Sequence, residues 1–445
     1  MEQFTRWIDL ALAASLVAVA ITGIARRGRP RALLIGAATG AVALTVTAFA
    51  LEGFRWQVLA LTAVGAAIAT LVTWSGRRAP ARLSRGLSTL GAVAAIAAVA
   101  LAAWALPPAV VPAPTGTYAV GVSTTMFTDP ARSARGGAPD GTSRSLPVTV
   151  WYPADAGPGG PLLADDAGTT VAGLADQYGL PAWVLAELRD AHGHATPDAT
   201  ARDGAFPVVL FSPGLTSSRW LASSWATEVA SHGTVVVALD HPFDAAAVTT
   251  ADGVVARSAL VATGDAETDD RLAQEWARTR AADLAAVLDA LVAAQSGTPA
   301  LAGADLEHVV AAGHSAGGAA ALLLASTDLR VDGVVDIDGM PRSPAVDRGI
   351  PTVVLVAGDA GAMPEYARAT DALVAAGATR VTVDGVAHLG FTDASLVLAP
   401  VPGVLGARAG AGPVTAAAAT SAVVDAVRRG EPVDGHALAA LGAVG

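Results

Sequence analysis

Cysteine and lysine are both missing from the 445 residues. Without cysteine there is no disulfide framework, no thiolate nucleophile and no zinc–thiolate site. Without lysine there is no Schiff-base amine and no P-loop lysine; all 28 basic residues are arginine. Charge is scarce too, at 15% of residues, and the net balance of −11 argues against a nucleic-acid partner. Apolar residues take up the difference. They make up 53% of the chain, with a mean hydropathy of +0.49, which is too greasy for an ordinary soluble enzyme and excludes a disordered chain.

The greasiest part is the front. Apolar runs at about residues 7–25, 32–51, 56–74 and 88–106 are each long enough to cross a ~30 Å hydrocarbon core as a helix. Trp7, Trp56, Trp74 and Trp104 fall near their ends, where indoles prefer the interface. Arg26, Arg27, Arg29 and Arg31 join the first two runs, and Arg77, Arg78, Arg82 and Arg85 join the last two. Basic loops stay cytoplasmic, so everything after Leu106 is expected outside. The sequence thus predicts a multi-pass cell-membrane protein. Four transmembrane helices occupy residues 1–106, a Pro-rich linker residues 107–115, and an extracytoplasmic domain residues 116–445.

Beyond the linker, short β-branched runs alternate with amphipathic stretches. Strands are expected at Pro147–Tyr152, Pro207–Phe211, Thr234–Leu239, His308–Ala312, Gly333–Ile337, Thr352–Val356 and Arg380–Val383. Helices are expected over Arg271–Ala294, Gly317–Ser326 and Pro364–Ala376. Continuous apolar strands separated by helices mean an α/β fold: a mostly parallel central sheet covered on both faces. Residues 155–203 show no clear strand and are expected to form an insertion or lid. Residues 425–445 are small and polar and are expected to be a weakly structured tail.

The most informative string is Gly313-His314-Ser315-Ala316-Gly317, with a strand before it and an Ala/Leu-rich helix after it. This is the G-x-S-x-G turn in the context that its chemistry requires. The sharp bend exposes the Ser315 hydroxyl, and the amides that follow lie at a helix N-terminus. A serine needs a base to become a nucleophile. Only His388 and His436 follow Ser315 in the order serine, acid, histidine, and His388 follows the last strand while His436 lies in the tail. For the acid, Asp338 and Asp359 each end a strand; Asp336 lies deeper in its strand and Asp384 sits on the His388 loop. The oxyanion hole is expected from the amide of Ala316 and, in the loop Phe211-Ser-Pro-Gly-Leu-Thr-Ser217, the amide of Leu215. His314 reads as packing. Asp240-His241-Pro242 reads as pocket wall or plain turn, and His192 and His194 as a solvated loop. No cofactor and no metal are implied.

Together these residues resemble the platelet-activating factor acetylhydrolase family of α/β-hydrolases, its plasma and type II branch. The likeness rests on Tyr118–Gly121, Leu146–Pro153, Phe211–Leu215, Ala230–Gly233, Gly313–Gly318, Asp338 and His388. It implies Asp338 as the acid; in the related cutinase-like hydrolases the acid lies one strand later, where this chain has Gly361. Pro213 departs from the family, which usually has a histidine there. The resemblance further implies an α/β-hydrolase fold and hydrolysis of short-acyl phospholipid or related esters. The expected function is a membrane-anchored serine esterase or lipase. Acyl transfer to an envelope sugar or lipid alcohol, and a non-catalytic binding module, stand as the alternatives.

Overall fold

The computed structural model describes most of residues 109–445, leaving out 134–141, 261–262, 295–297, 343–347, 359–362, 399–400 and 402. Before residue 109 it describes only scattered positions between 39 and 105. The chain divides into two compact units, Met1–Pro108 and Ala109–Gly445.

In the first unit the described residues are helical, including 45–47, 58–64 and 96–101. Val58, Leu61 and Ile96 are buried, and the hydroxyls of Thr45 and Thr62 share a hydrogen bond of 2.8 Å. The expected span at 7–25 lies wholly outside the described residues, and much of the other three does too. Among the described residues, no helix is long and apolar enough to cross a membrane.

The second unit is built on a ten-stranded sheet. Its strands are β1 (Ala119–Ser133), β2 (Ser143–Ala154), β3 (Ala195–Pro197), β4 (Phe206–Ser212), β5 (Val235–Leu239), β6 (Ala304–His314), β7 (Val331–Ile337), β8 (Thr352–Ala357), β9 (Thr379–Val383) and β10 (Ala443–Val444). Their order is β10-β9-β8-β7-β6-β4-β5-β2-β1-β3. The six strands from β5 to β9 run parallel, whereas β2 and β10 join antiparallel at the two sides. This is the mixed sheet of an α/β-hydrolase. The flanking helices are α1 (Ala167–Gln177), α2 (Ser223–Ser231), α3 (Ala266–Ala294), α4 (Ala316–Thr327), α5 (Pro364–Ala375) and α6 (Gly412–Arg429).

Strand alternation divides the core between the two faces of the sheet. Val208 and Leu210 of β4 pack with Leu284, Leu288 and Leu291 of α3 and Leu324 of α4. Val209 and Phe211 turn the other way, to Trp225 and Val229 of α2 and Ala416 and Val423 of α6. With both faces covered, the central strands carry apolar residues at nearly every position.

Two expectations are corrected here. Residues 425–445 are not a weak tail: α6 runs to Arg429 with Val423, Val424 and Ala426 buried. The chain then returns as β10, where Gly445 and Arg380 exchange backbone hydrogen bonds of 3.0 and 3.2 Å. Nor is the 107–115 linker simply a spacer where it is described, from residue 109 on. Val111 packs on the core, its carbonyl is 3.1 Å from His194 Nε2, and Gly116 N–H donates to Ser231 Oγ at 3.0 Å.

A cluster of buried charge ties α3 to the first two strands. The guanidinium of Arg144, on β2, grips the fully buried Asp283 of α3 at 2.7 and 2.6 Å. Arg132, on β1, reaches the same carboxylate at 2.7 Å. Burial alone would raise the Asp283 pKa, but Arg144 and His241 hold it far below the usual carboxylate range. Removing one partner strands buried charge. Arg144→Met is therefore expected to lower stability by about 3 kcal/mol, read from urea unfolding; a loss within experimental error would show that Arg132 and His241 alone suffice.

Candidate active site

The site forms where β6 ends. Ser315 lies between β6 and α4 at φ 57° and ψ −123°, a conformation that costs a non-glycine residue about 1–3 kcal/mol. The turn closes because two flanking residues have no side chain. A Cβ on Gly313 would lie 2.2 Å from the Gly317 carbonyl, and one on Gly317 would lie 1.9 Å from the Ser212 carbonyl. Ser315 N–H donates to Ile337 O at 2.9 Å, which stitches the bend to the end of β7.

Asp338, just past β7, adopts φ 53°. Its Oδ2 lies 2.6 Å from His388 Nδ1. Its Oδ1 accepts from Ala357 N–H at 2.8 Å and from the Tyr366 hydroxyl at 3.0 Å. Burial works to raise the Asp338 pKa, but the His388 hydrogen bond and charge, helped by Ala357 N–H, bring it below the ordinary value. An ionised Asp338 fixes the proton of His388 on Nδ1 and leaves Nε2 with its lone pair. Ser315, His388 and Leu215 line one cavity of about 240 Å³. Among the described residues the Ser315 hydroxyl has no hydrogen-bond partner; such bonds are often long until substrate is bound.

The other candidates fall elsewhere. Asp336 is fully buried, with Gly339 N–H on Oδ1 at 2.9 Å and no partner on Oδ2. Burial pushes its pKa well up, and its Oδ1 lies against Gly318 and Gly339. Asp384 is exposed, and Asp359 lies outside the described residues. His436 is exposed on the short helix Gly435–Ala439. Among the described residues, no group of three or more acidic or imidazole side chains could hold a metal ion.

His314 does more than pack. Its ring lies 4.6 Å from that of His388 at 36°, and its Nε2 is 2.9 Å from the His388 carbonyl. Nε2 is therefore the donor, and the buried Nδ1 has no partner. Burial first, then the nearby His388 charge, keeps His314 neutral well below the usual imidazole range. His241, read as pocket wall or plain turn, does not line the cavity; it opens a turn in which Asp244 N–H donates to His241 O at 3.0 Å. It is fully buried, with Nδ1 2.7 Å from Asp283 and Nε2 2.9 Å from Ser212 Oγ. Tyr366 was not singled out at all, because only the folded sheet brings α5 against Asp338.

Of the oxyanion candidates, Leu215 lines the same cavity as Ser315, and Ala316 is the first residue of α4. Among the described residues, neither Leu215 N–H nor Ala316 N–H has an acceptor. The cavity wall is apolar, with Leu174, Tyr178, Leu185 and Leu188 facing Leu389, Val397 and Leu398; the first four come from residues 155–203, which against expectation also supply a strand, β3, to the sheet. A larger cleft of about 760 Å³ opens at the opposite edge of the sheet. There His308 pairs with Asp305 at 2.7 Å and Ser326 donates to Leu323 O at 2.7 Å.

Behind the His388 loop, the fully buried Asp393 accepts from Ser224 N–H at 2.9 Å and from the Ser224 hydroxyl. Burial pushes its pKa up to about 7 against these bonds. A carboxyl raised in the folded state stabilises fully below its unfolded pKa, and that contribution is lost as pH rises through the folded value. Asp393→Asn should therefore gain stability relative to the parent as pH rises from 4 to 8, on the order of 4 kcal/mol in all. Urea unfolding of both proteins across that range is the check; parallel curves would contradict it.

Comparison with known proteins gives the family and the fold. Residues 107–422 match the family of platelet-activating factor acetylhydrolase, isoform II. A ferulic acid esterase from Streptomyces cinnamoneus superposes with a TM-score of 0.60 at 26% identity, over 72% of this chain and 94% of that one. No protein with a curated description matches. With the family matching well over half of the chain, and an esterase sharing its fold, this chain belongs to the platelet-activating factor acetylhydrolase isoform II family and is a carboxylic ester hydrolase.

Proposed function

We propose that Ser315, Asp338 and His388 are a catalytic triad, and that the amides of Leu215 and Ala316 form the oxyanion hole. The observation that carries this reading is the 2.6 Å contact of His388 with Asp338, above a strained Ser315 in the same cavity. His388 Nε2 takes the Ser315 proton as Oγ attacks the ester carbonyl. The two amides hold the negative oxygen of the tetrahedral intermediate. Collapse of the intermediate expels the alcohol, which leaves with the proton from His388, and water then releases the acid by the same route.

The cavity favours an apolar acid part. At about 240 Å³ it is smaller than the ~300–1,000 Å³ of drug-sized sites. It holds an acyl chain or a single ring and leaves the alcohol part outside. Short-acyl phospholipid esters fit this division, as the family name suggests, and so does an aromatic acid such as the one in the name of the Streptomyces esterase. The four apolar runs and their arginine-rich connections support a membrane anchor at residues 1–106, with the catalytic unit extracytoplasmic.

Ser315→Ala is expected to lower kcat on p-nitrophenyl acetate at least ~10⁴-fold and to abolish fluorophosphonate labelling. Full activity in that variant would end the proposal, and added alcohols appearing in the products would mark acyl transfer. The full chain is expected to stay in the membrane pellet after an alkaline carbonate wash; release would remove the anchor.

A further inference from the structure

Pro213-Gly214-Leu215 has no side chain that can hydrogen-bond, and within the loop one turn bond, Ser217 N–H to Gly214 O at 3.2 Å, bears on which way its peptides face. The firmer support comes from α3, which binds two successive carbonyls. Arg280 is 1% exposed. Its Nη1 donates to Pro213 O at 2.5 Å and to Ser212 Oγ at 3.2 Å, and its Nη2 donates to Gly214 O at 3.1 Å. Asp244 holds the guanidinium from the other side with two contacts of 2.6 Å.

The Gly214 carbonyl and the Leu215 N–H belong to one peptide. Among the described residues there is no cis peptide bond, so in this trans unit they point in opposite directions. An arginine that holds the carbonyl therefore turns the N–H away from itself. That N–H has no acceptor among the described residues, and Leu215 lines the cavity beside Ser315. We infer that Arg280 is a positioning residue for the ester hydrolysis: it aims the Leu215 amide at the developing oxyanion. It touches no substrate and acts only through the backbone. Asp244 fixes the plane of the fork, because a guanidinium bound on one edge by a carboxylate presents its remaining donors in a set direction.

This inference rests on the proposed role of Ser315, and the test separates the two. Arg280→Lys, Arg280→Met and Asp244→Asn are compared with the parent, as full chains, for kcat, KM and inhibition by an alkyl trifluoromethyl ketone. With that ketone, the Ser315 oxygen bonds to the carbonyl carbon. The π pair moves onto the carbonyl oxygen, and the serine proton passes to His388. The adduct thus needs the oxyanion hole, while substrate binding in the ground state does not.

For Arg280→Lys, kcat is expected to fall by about 10²-fold, the scale of one lost donor, with KM within about twofold. The ketone Ki should rise by the factor by which kcat/KM falls. Arg280→Met should do the same or more. Asp244→Asn keeps the guanidinium but frees its plane, and should move kcat and Ki together by about tenfold. If Arg280→Met does not fold, the other two variants still decide. An unchanged kcat, or a reduced kcat with an unchanged ketone Ki, overturns the assignment. Activity surviving in Ser315→Ala overturns the nucleophile instead, which is a separate result.

Discussion

The turn at Ser315 depends on how closely two stretches of backbone can pass. β4 and the start of α4 meet where Gly317 lies against the Ser212 carbonyl, at a distance that admits no side chain. That approach lets the chain reverse from β6 into α4 in so few residues, and it drives Ser315 into an unfavourable conformation. The strain is carried by the sheet on either side, whose central strands are buried on both faces. The rest of the site is arranged around this fixed point. β7 delivers Asp338, the loop after β9 delivers His388, and the loop after β4 delivers Leu215, all at the carboxyl edge of the parallel strands.

Polar support lies beneath the site in two layers. On one side, Ala357 N–H and the Tyr366 hydroxyl fill the second oxygen of Asp338, so its carboxylate has one remaining direction in which to act, toward His388. His314 holds the His388 backbone and lies against its ring. On the other side, α3 contributes Arg280 and Asp283, one beneath the Pro213–Leu215 loop and the other gripped by Arg132 and Arg144. Burying these charges is tolerated because each is paired several times over.

What the sequence makes legible follows from distance along the chain. The parallel strands stand out because burial on both faces writes them as continuous apolar runs, and the nucleophile turn is a local pattern. Asp338 and His388 are legible as candidates because each follows a recognisable strand. Other features leave no local trace. β1 spans 15 residues, but it contains Pro130 and shifts register between Asp129 and Ser133, so it does not read as a strand. β10 is two exposed residues held by backbone pairing alone. The apolar face of α6 is mostly alanine, which a hydropathy pattern barely registers. Tyr366, Arg280 and Asp283 find their partners 28 or more positions away in the chain, and only the folded sheet brings them together.

The row Ser212–His241–Asp283 shows what such connectivity does not provide. Its contacts of 2.9 and 2.7 Å match those expected of a working triad, in the same order of side chains. Yet all three residues are sealed from solvent, Ser212 closes an ordinary strand, and Arg280 already occupies its oxygen. The molecule therefore carries a sealed row with the connectivity of the proposed triad, its serine backbone lying against Gly317 of the nucleophile turn. A search by interatomic spacing alone would score the two alike. Chemical reactivity separates them through solvent access and a bent backbone, so an electrophile added from outside can meet only one of these two hydroxyls.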